Sequence, residues 1–383
     1  MKKNLNQDYT TEDRLEKAKR RKKNNTIGSI LVFFGCLLVL VVVTYIAGYL
    51  YMWIDNEFQK SANDIAAAVM ESEKQEEIAG QETQTTYTRE ELDAKVAEAV
   101  EAAKIEASAE ILNGIQSGLE SGQTYVETLR PYYPDDLLVV SNGKFNFVPI
   151  QKNLKMNDHV EENLNILETG EYQYVKDGQV ISHKGIDVSK HQGEIDWQQV
   201  AEDGVEFAFI RVGLRGYGTG KLVEDEYFEQ NVQGALSAGI KVGVYIYSQA
   251  INEEELLEEA NLVLEKIAPY RIECPVVFDV EKVSGSNGRM NALSLEERTN
   301  LTLLFCQTIE NAGYKPMIYH NMEMGALMLD LETLEDYDKL FAYYNPDFYY
   351  TYEYKIWQYS HKGSVKGIRG EVDMNISFEP IWE

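Results

Sequence analysis

From Lys184 onward, short apolar runs alternate with amphipathic stretches of helical length, and this alternation limits the fold more than any other feature. The runs fall at 185–188, 206–212, 241–247, 275–280, 316–319, 339–344, 354–359 and 372–375. Helical patterns occupy 196–201, 224–238, 253–267 and 294–311, between the first five runs. Ala238-Gly239 and Ala312-Gly313 are helix stops that lead directly into strands. Repeated βα units imply a parallel sheet, and about 200 residues of them fit a barrel. The last three strands follow one another without a helix, so the barrel is expected to be irregular there, with one helix-free quadrant.

The fourth run ends in Phe278-Asp-Val-Glu281. Side chains at i and i+2 on a strand share a face, with Cα atoms roughly 7 Å apart. Neighbouring carboxylates at a buried strand end hold at least one proton more tightly, as a general acid requires. Taken alone, such a pair is more often a loop cap, Asp279, and a solvated surface residue, Glu281, than a site. Two further acids occupy the same kind of place: Asp187 in the first run and Asp373 in the last. The spacing predicts both at the C-terminal ends of their strands, where barrel active sites sit. First and last strands are neighbours in a closed barrel, so Asp187 and Asp373 should face each other beside Asp279 and Glu281. Carboxylates with few basic residues and no metal-ligand spacing fit glycoside hydrolysis by acid catalysis, with no cofactor and no metal. Aromatic residues at strand ends, Tyr245, Tyr247, Tyr319, Tyr344 and Trp357 with Gln358 beside it, are suited to stacking on sugars.

Several motifs recur in a fixed order. They are Gly185-Ile-Asp-Val-Ser189, Gln192-Gly193, Ile195-Asp-Trp197, Phe209-Ile-Arg-Val212, Gly243-Val-Tyr-Ile-Tyr247 and Val277-Phe-Asp-Val-Glu281. Gly313-Tyr-Lys-Pro-Met-Ile-Tyr319, Trp357-Gln-Tyr359 and Val372-Asp-Met-Asn375 follow. The set resembles the family-25 glycoside hydrolases, the Chalaropsis-type lysozymes or N-acetylmuramidases, over about half of the chain. The resemblance implies a flattened, incomplete (β/α) TIM-like barrel. It also implies cleavage of the β-1,4 bond from N-acetylmuramic acid to N-acetylglucosamine in peptidoglycan glycan strands. Glu281 would be the proton donor, and Asp187, Asp279 and Asp373 its companion acids. Retention through the substrate's own 2-acetamido group is the implied stereochemical course, an exception to the two-carboxylate scheme. A catalytically weak wall-binding or scaffold protein on the same fold is the alternative. Where many members carry an aromatic residue this chain has Lys190-His191, and His191 is taken as a rim residue of the substrate site. The glycine-rich stretch 213–221 lacks the spacing and the Ser/Thr of a phosphate loop and is read as a mobile loop over the cleft.

The N-terminal half has a different character. Residues 24–54 contain no charge in 31 positions, more than the about 20 apolar residues that span a bilayer. Arg20-Arg-Lys-Lys23 precedes them, so the positive-inside rule puts the N-terminus in the cytoplasm. Residues 1–23 then form a cytoplasmic tail and 24–54 a transmembrane helix, with 27–54 in contact with lipid. Everything beyond would lie outside the cell membrane, expected to be that of a Gram-positive bacterium. The net −27 of the chain comprises +5 in residues 1–23 and −32 after them, and so acidic a body argues against nucleic acid.

Residues 55–131 read as a polar spacer and helical stalk. Its helix opens on a Thr88/Glu91 capping box and runs to about Ile111, and it is a candidate for self-association or protein partners. Residues 132–183 read as a small β-rich neck of two hairpins with Asn142-Gly143 and Asp177-Gly178 turns. Residues 184–383 form the catalytic barrel. Cys274 and Cys306 sit in apolar surroundings and are expected to be buried free thiols rather than a disulfide.

Overall fold

The first helix follows from its capping residues. The Thr88 amide donates to the Glu91 carboxylate (2.8 Å) and the Glu91 amide to Thr88 Oγ1 (3.3 Å), the expected reciprocal cap. In this computed structural model, which describes residues 87–283, 285 and 288–382, helix α1 spans Arg89–Glu120. It therefore passes through Gly114 and Gly118 rather than stopping near Ile111, and the chain turns at Gly122, whose φ is +84°. Most of its side chains, Ile105 and Leu112 among them, are open to solvent. Among the described residues no helix is long and apolar enough to cross a membrane, and the span expected at 24–54 lies outside them.

Residues 115–383 cluster as one unit. Helix α2 (Tyr125–Leu129) leads to hairpin β1 (Asp136–Ser141) and β2 (Lys144–Pro149), turned by Asn142 and Gly143 at φ 51° and 73°. Strands β3 (Leu164–Ile166), β4 (Tyr172–Lys176) and β5 (Gln179–Val180) form a second small sheet, with Asp177 and Gly178 again at positive φ. Two positive φ values are what an Asn-Gly or Asp-Gly hairpin turn requires. The neck is not a separate body. Leu137, Val139 and Leu154 belong to the same hydrophobic cluster as the barrel's outer layer. Tyr172 stacks on Tyr359 at 4.2 Å, and Arg130 pairs with Asp347 at 2.9 Å. Small hairpins cannot bury a face alone, and these lean on the barrel.

Eight strands then close on themselves: β6 (His183–Val188), β7 (Phe207–Arg215), β9 (Lys241–Ser248), β10 (Val276–Val280), β11 (Pro316–Asn321), β12 (Asp338–Ala342), β13 (Ile356–Gly363) and β14 (Val372–Ser377). Helices α3 (Trp197–Glu202), α4 (Phe228–Ser237), α5 (Glu253–Ile267), α6 (Leu295–Asn311) and α7 (Met322–Leu327) form the connections up to β12. The connections from β12 to β13 and β14 contain no helix, as expected. Two expectations are corrected. The barrel is parallel except for β14, which runs antiparallel to both β13 and β6. Of the stretch 213–221 read as a loop, only residues 216–221 form one: β7 continues to Arg215 and pairs with β8 (Leu222–Glu224), so the following helix begins only at Phe228.

Alternation along the strands separates two layers. Phe207, Phe209, Val277, Met317, Leu340 and Ile356 fill the barrel interior. Gly185 and Gly243 leave room for them, since a Cβ on either would lie 2.1 Å from the Phe207 ring or 2.4 Å from the Phe209 ring. The odd-even partners Ile186, Val276 and Phe278 face outward to the helices, where Phe278 stacks on Phe305 at 4.5 Å. Cys274 and Cys306 are buried free thiols, each pushed up to about 12 by burial.

Candidate active site

Strand β10 shows how the site is built. Val277 lies in the interior cluster, Asp279 is two residues further along the same face, and Glu281 follows just past the strand end. Asp187 occupies the corresponding place on β6, directly opposite Asp373 in the β6–β14 register. Asp373 does not end its strand, contrary to expectation; it is the second residue of β14. Because β14 is reversed, its beginning meets the rim where the parallel strands end. All four acids line one cavity of about 240 Å³ together with Tyr245, Tyr319, Tyr344 and Gln358.

Hydrogen bonds tie the wall together. Gln358 Nε2 donates to Asp187 Oδ2 at 2.5 Å, and Asn375 Nδ2 donates to Asp187 Oδ1 at 2.9 Å. Gln358 Oε1 in turn accepts from the Tyr344 hydroxyl (2.9 Å) and the Tyr319 hydroxyl (3.3 Å). Fully buried Gln249 donates from Nε2 to the main-chain carbonyl of Glu281 at 3.1 Å, fixing the backbone at that residue. The basic group beside the cavity, Arg211, is engaged by Asp225 at 2.7 Å.

The electrostatics follow from four carboxyls crowded into one partly enclosed cavity. Burial, then the charge of Asp373, pushes Asp187 up to about 8 against the opposing pull of Gln358 and Asn375. Burial raises Asp373 to about 6. Asp279 is held well above the usual carboxylate range by burial, then by the charges of Glu281 and Asp187. Glu281 is raised by burial and by Asp373, while the Tyr319 hydroxyl pulls the other way. The arrangement stores protons near neutral pH, so it can donate one in a water-poor setting.

Three of the aromatic and rim assignments fall elsewhere. Trp357 is fully buried in the outer layer, its indole N–H donating to the Tyr343 carbonyl at 2.6 Å. It precedes Gln358 by one residue, so alternation turns it away from the cavity. Tyr247, opposite Asp279 in the register, is half-buried beside the acids but is not among the residues lining the cavity. Burial, then the charges of Asp279 and Glu281, raises its phenol. His191 is exposed in the turn Lys190–Gln192 and also stands apart from the lining. Conversely, His361 lines the cavity and meets Tyr344 edge-on at 4.6 Å. Register shifts between Gln358 and Gly363 break the alternation there and hid it from sequence. Asn375 could have been found, since it shares a face with Asp373.

The model for glycosyl hydrolases family 25 matches residues 186–368. The uncharacterized protein YegX of Escherichia coli (strain K12) is 30% identical over 203 residues, covering 50% of this chain and 68% of YegX. The chain belongs to glycosyl hydrolase family 25. By family it is a glycosidase. The autolytic lysozyme of Clostridium acetobutylicum is 28% identical over 201 residues, 52% of this chain and 56% of that relative. A family 25 glycosyl hydrolase from Bacillus anthracis has a TM-score of 0.45 at 23% identity, over 55% of this chain and 94% of that one. This family-25 chain therefore spans little more than half the length of the autolytic lysozyme. Its residues 87–185 precede the stretch that the family model matches.

Proposed function

We propose that this chain hydrolyses peptidoglycan at the β-1,4 bond from N-acetylmuramic acid to N-acetylglucosamine, with Glu281 as the acid. The observation that carries the reading is the place of Glu281 just past the end of β10, beside Asp279 and Asp373 in a cavity lined by tyrosines, where burial and the charge of Asp373 raise its hold on a proton. In this mechanism Glu281 gives its proton to the glycosidic oxygen as the bond from C1 breaks. The substrate's 2-acetamido oxygen takes the vacated position on C1, and Asp279, the ionised member when the pair holds its one proton on Glu281, accepts the acetamido N–H and offsets the developing positive charge. Water then attacks C1 as the bond to the acetamido oxygen breaks, giving a proton to Glu281 and leaving the product with its original anomeric configuration. No protein nucleophile is needed. Asp187, held by Gln358 and Asn375, and Asp373 hold the sugar at the opposite wall. Tyr245, Tyr319 and Tyr344 supply ring faces and hydroxyls.

Glu281→Gln should lower turnover at least about 1,000-fold by removing the transferable proton, within the range of general acid catalysis. The fold should persist, because the amide is isosteric. Intact peptidoglycan should yield fragments with muramic acid at the reducing end; reducing-end glucosamine would identify a different bond. Binding without fragment release would mark a wall-binding protein instead.

We also propose that residues 24–54 anchor the chain in the membrane, with the catalytic unit outside and residues 55–131 as spacer. The support is 31 uncharged residues directly after Arg20-Arg-Lys-Lys23. The chain should resist alkaline extraction of membranes, and protease added to intact protoplasts should digest the catalytic unit. Release by alkali would refute the anchor.

A further inference from the structure

The residue that follows the catalytic glutamate is tied to an element that lies before the family match. Lys282 Nζ donates to Ser141 Oγ at 3.2 Å and to Asn142 Oδ1 at 3.1 Å, both in the turn of the β1–β2 hairpin. It also pairs with the Glu323 carboxylate on α7, which accepts from Ser141 Oγ as well. The lysine side chain is 16% exposed and that of Glu323 24% exposed, so this is a largely buried knot rather than a surface ion pair. Three elements meet in it: the end of β10, the helix after β11, and a hairpin that precedes the matched residues 186–368. The hairpin is stiff where it counts, because Asn142 and Gly143 are held at positive φ and β1 and β2 stay in register from Asp136↔Pro149 to Ser141↔Lys144.

We infer that the β1–β2 hairpin is a positioning element for the active site, acting through Lys282 to hold the strand end that carries Glu281. Past Val280 the ladder of β10 gives Glu281 no further support. Its main-chain carbonyl is held by Gln249, and one residue later the Lys282 side chain is held in this knot. Two anchors on adjacent residues leave the Glu281 backbone little freedom to drift, and a drift of about 1 Å costs about 100-fold in rate. Lys282 is therefore a positioning residue, and the neck does more than separate the barrel from the rest of the chain.

The inference rests on the reading of Glu281 as the acid, and the experiment separates the two. Full-length protein carrying S141A with N142G keeps the turn's positive φ but removes both hairpin acceptors. K282M removes the donor, and K282R restores a charged donor. Both S141A/N142G and K282M should lower kcat on peptidoglycan about tenfold or more with KM little changed, and K282R should recover part of the loss. Carboxyl-carbon NMR titration of Glu281, amid Asp279, Asp373 and the Tyr319 hydroxyl, should show it moving toward an ordinary carboxylate value in K282M. That readout needs no turnover. If the parent protein is inactive but the titration shifts, the hydrolase reading falls and the positioning role stands. Unchanged kcat and titration in both variants, or losses that follow only the unfolded fraction at assay temperature, would overturn it.

Discussion

Asp187 illustrates how one residue of the proposed site can also govern stability. Its carboxyl ordinarily titrates near 3.8 and is pushed to about 8 in the fold, by burial first and Asp373 second. A group raised on folding contributes stability that is fully present below the unfolded value and is lost as pH rises through the folded one. Urea midpoints should therefore decline from about pH 4 to 8, with a slope from this residue of up to about 1.4 kcal/mol per pH unit. Asp187→Asn should flatten that slope, although its amide faces two donors, Gln358 Nε2 and Asn375 Nδ2, and absolute stability should drop. An unchanged slope would show that Asp187 is charged in the native state at neutral pH. Residue types and strand periodicity made the four acids readable without coordinates. The same periodicity assigns Trp357 outward, but its aromatic character overrode the parity argument. His361 could not be read, because the register shifts that turn it inward leave no mark in composition.

At the scale of elements, the β7–β8 hairpin owes its order to one buried cation. Arg215 donates to Glu259 (2.7 Å), to Glu258 (3.0 Å), to the Glu255 carbonyl (2.6 Å) and to the Gly220 carbonyl (2.9 Å). Glu259 is fully buried; burial pushes it up to about 7, while Ser248 and Arg215 pull it down. Arg215→Met would leave that carboxylate without its cation, a loss of about 3–5 kcal/mol in chemical denaturation at neutral pH. The loss should shrink as pH falls, because Glu259 can then take up a proton. A loss independent of pH would assign the effect to packing instead. From sequence this hairpin read as a loop, since four glycines from Gly213 to Gly220 obscured the strand signal and Leu222–Glu224 blended into the next helical pattern. The strands of the barrel itself were legible to within a few residues. A buried parallel strand leaves a compact apolar run bounded by helix stops, whereas strand direction leaves none. That is why the reversal of β14 was not foreseen.

At the scale of the molecule, neck and barrel share one hydrophobic cluster, in which Leu137 and Val139 lie with Ile186 and Trp357. Hairpin turns announced the neck in the sequence, but the surface it would lean on could not be deduced, because that packing joins residues about 200 positions apart. The reversed strand has a consequence of timing. Asp187 lies in the first strand of the barrel and Asp373 in its last, yet the two are direct register partners on the closing seam. Contacts so distant in sequence form late in folding. A chain still emerging from the ribosome, or one clipped before residue 373, has three of the acids and an open barrel. Such a chain is expected to lack the completed cavity, so the four acids come together only with the last strand.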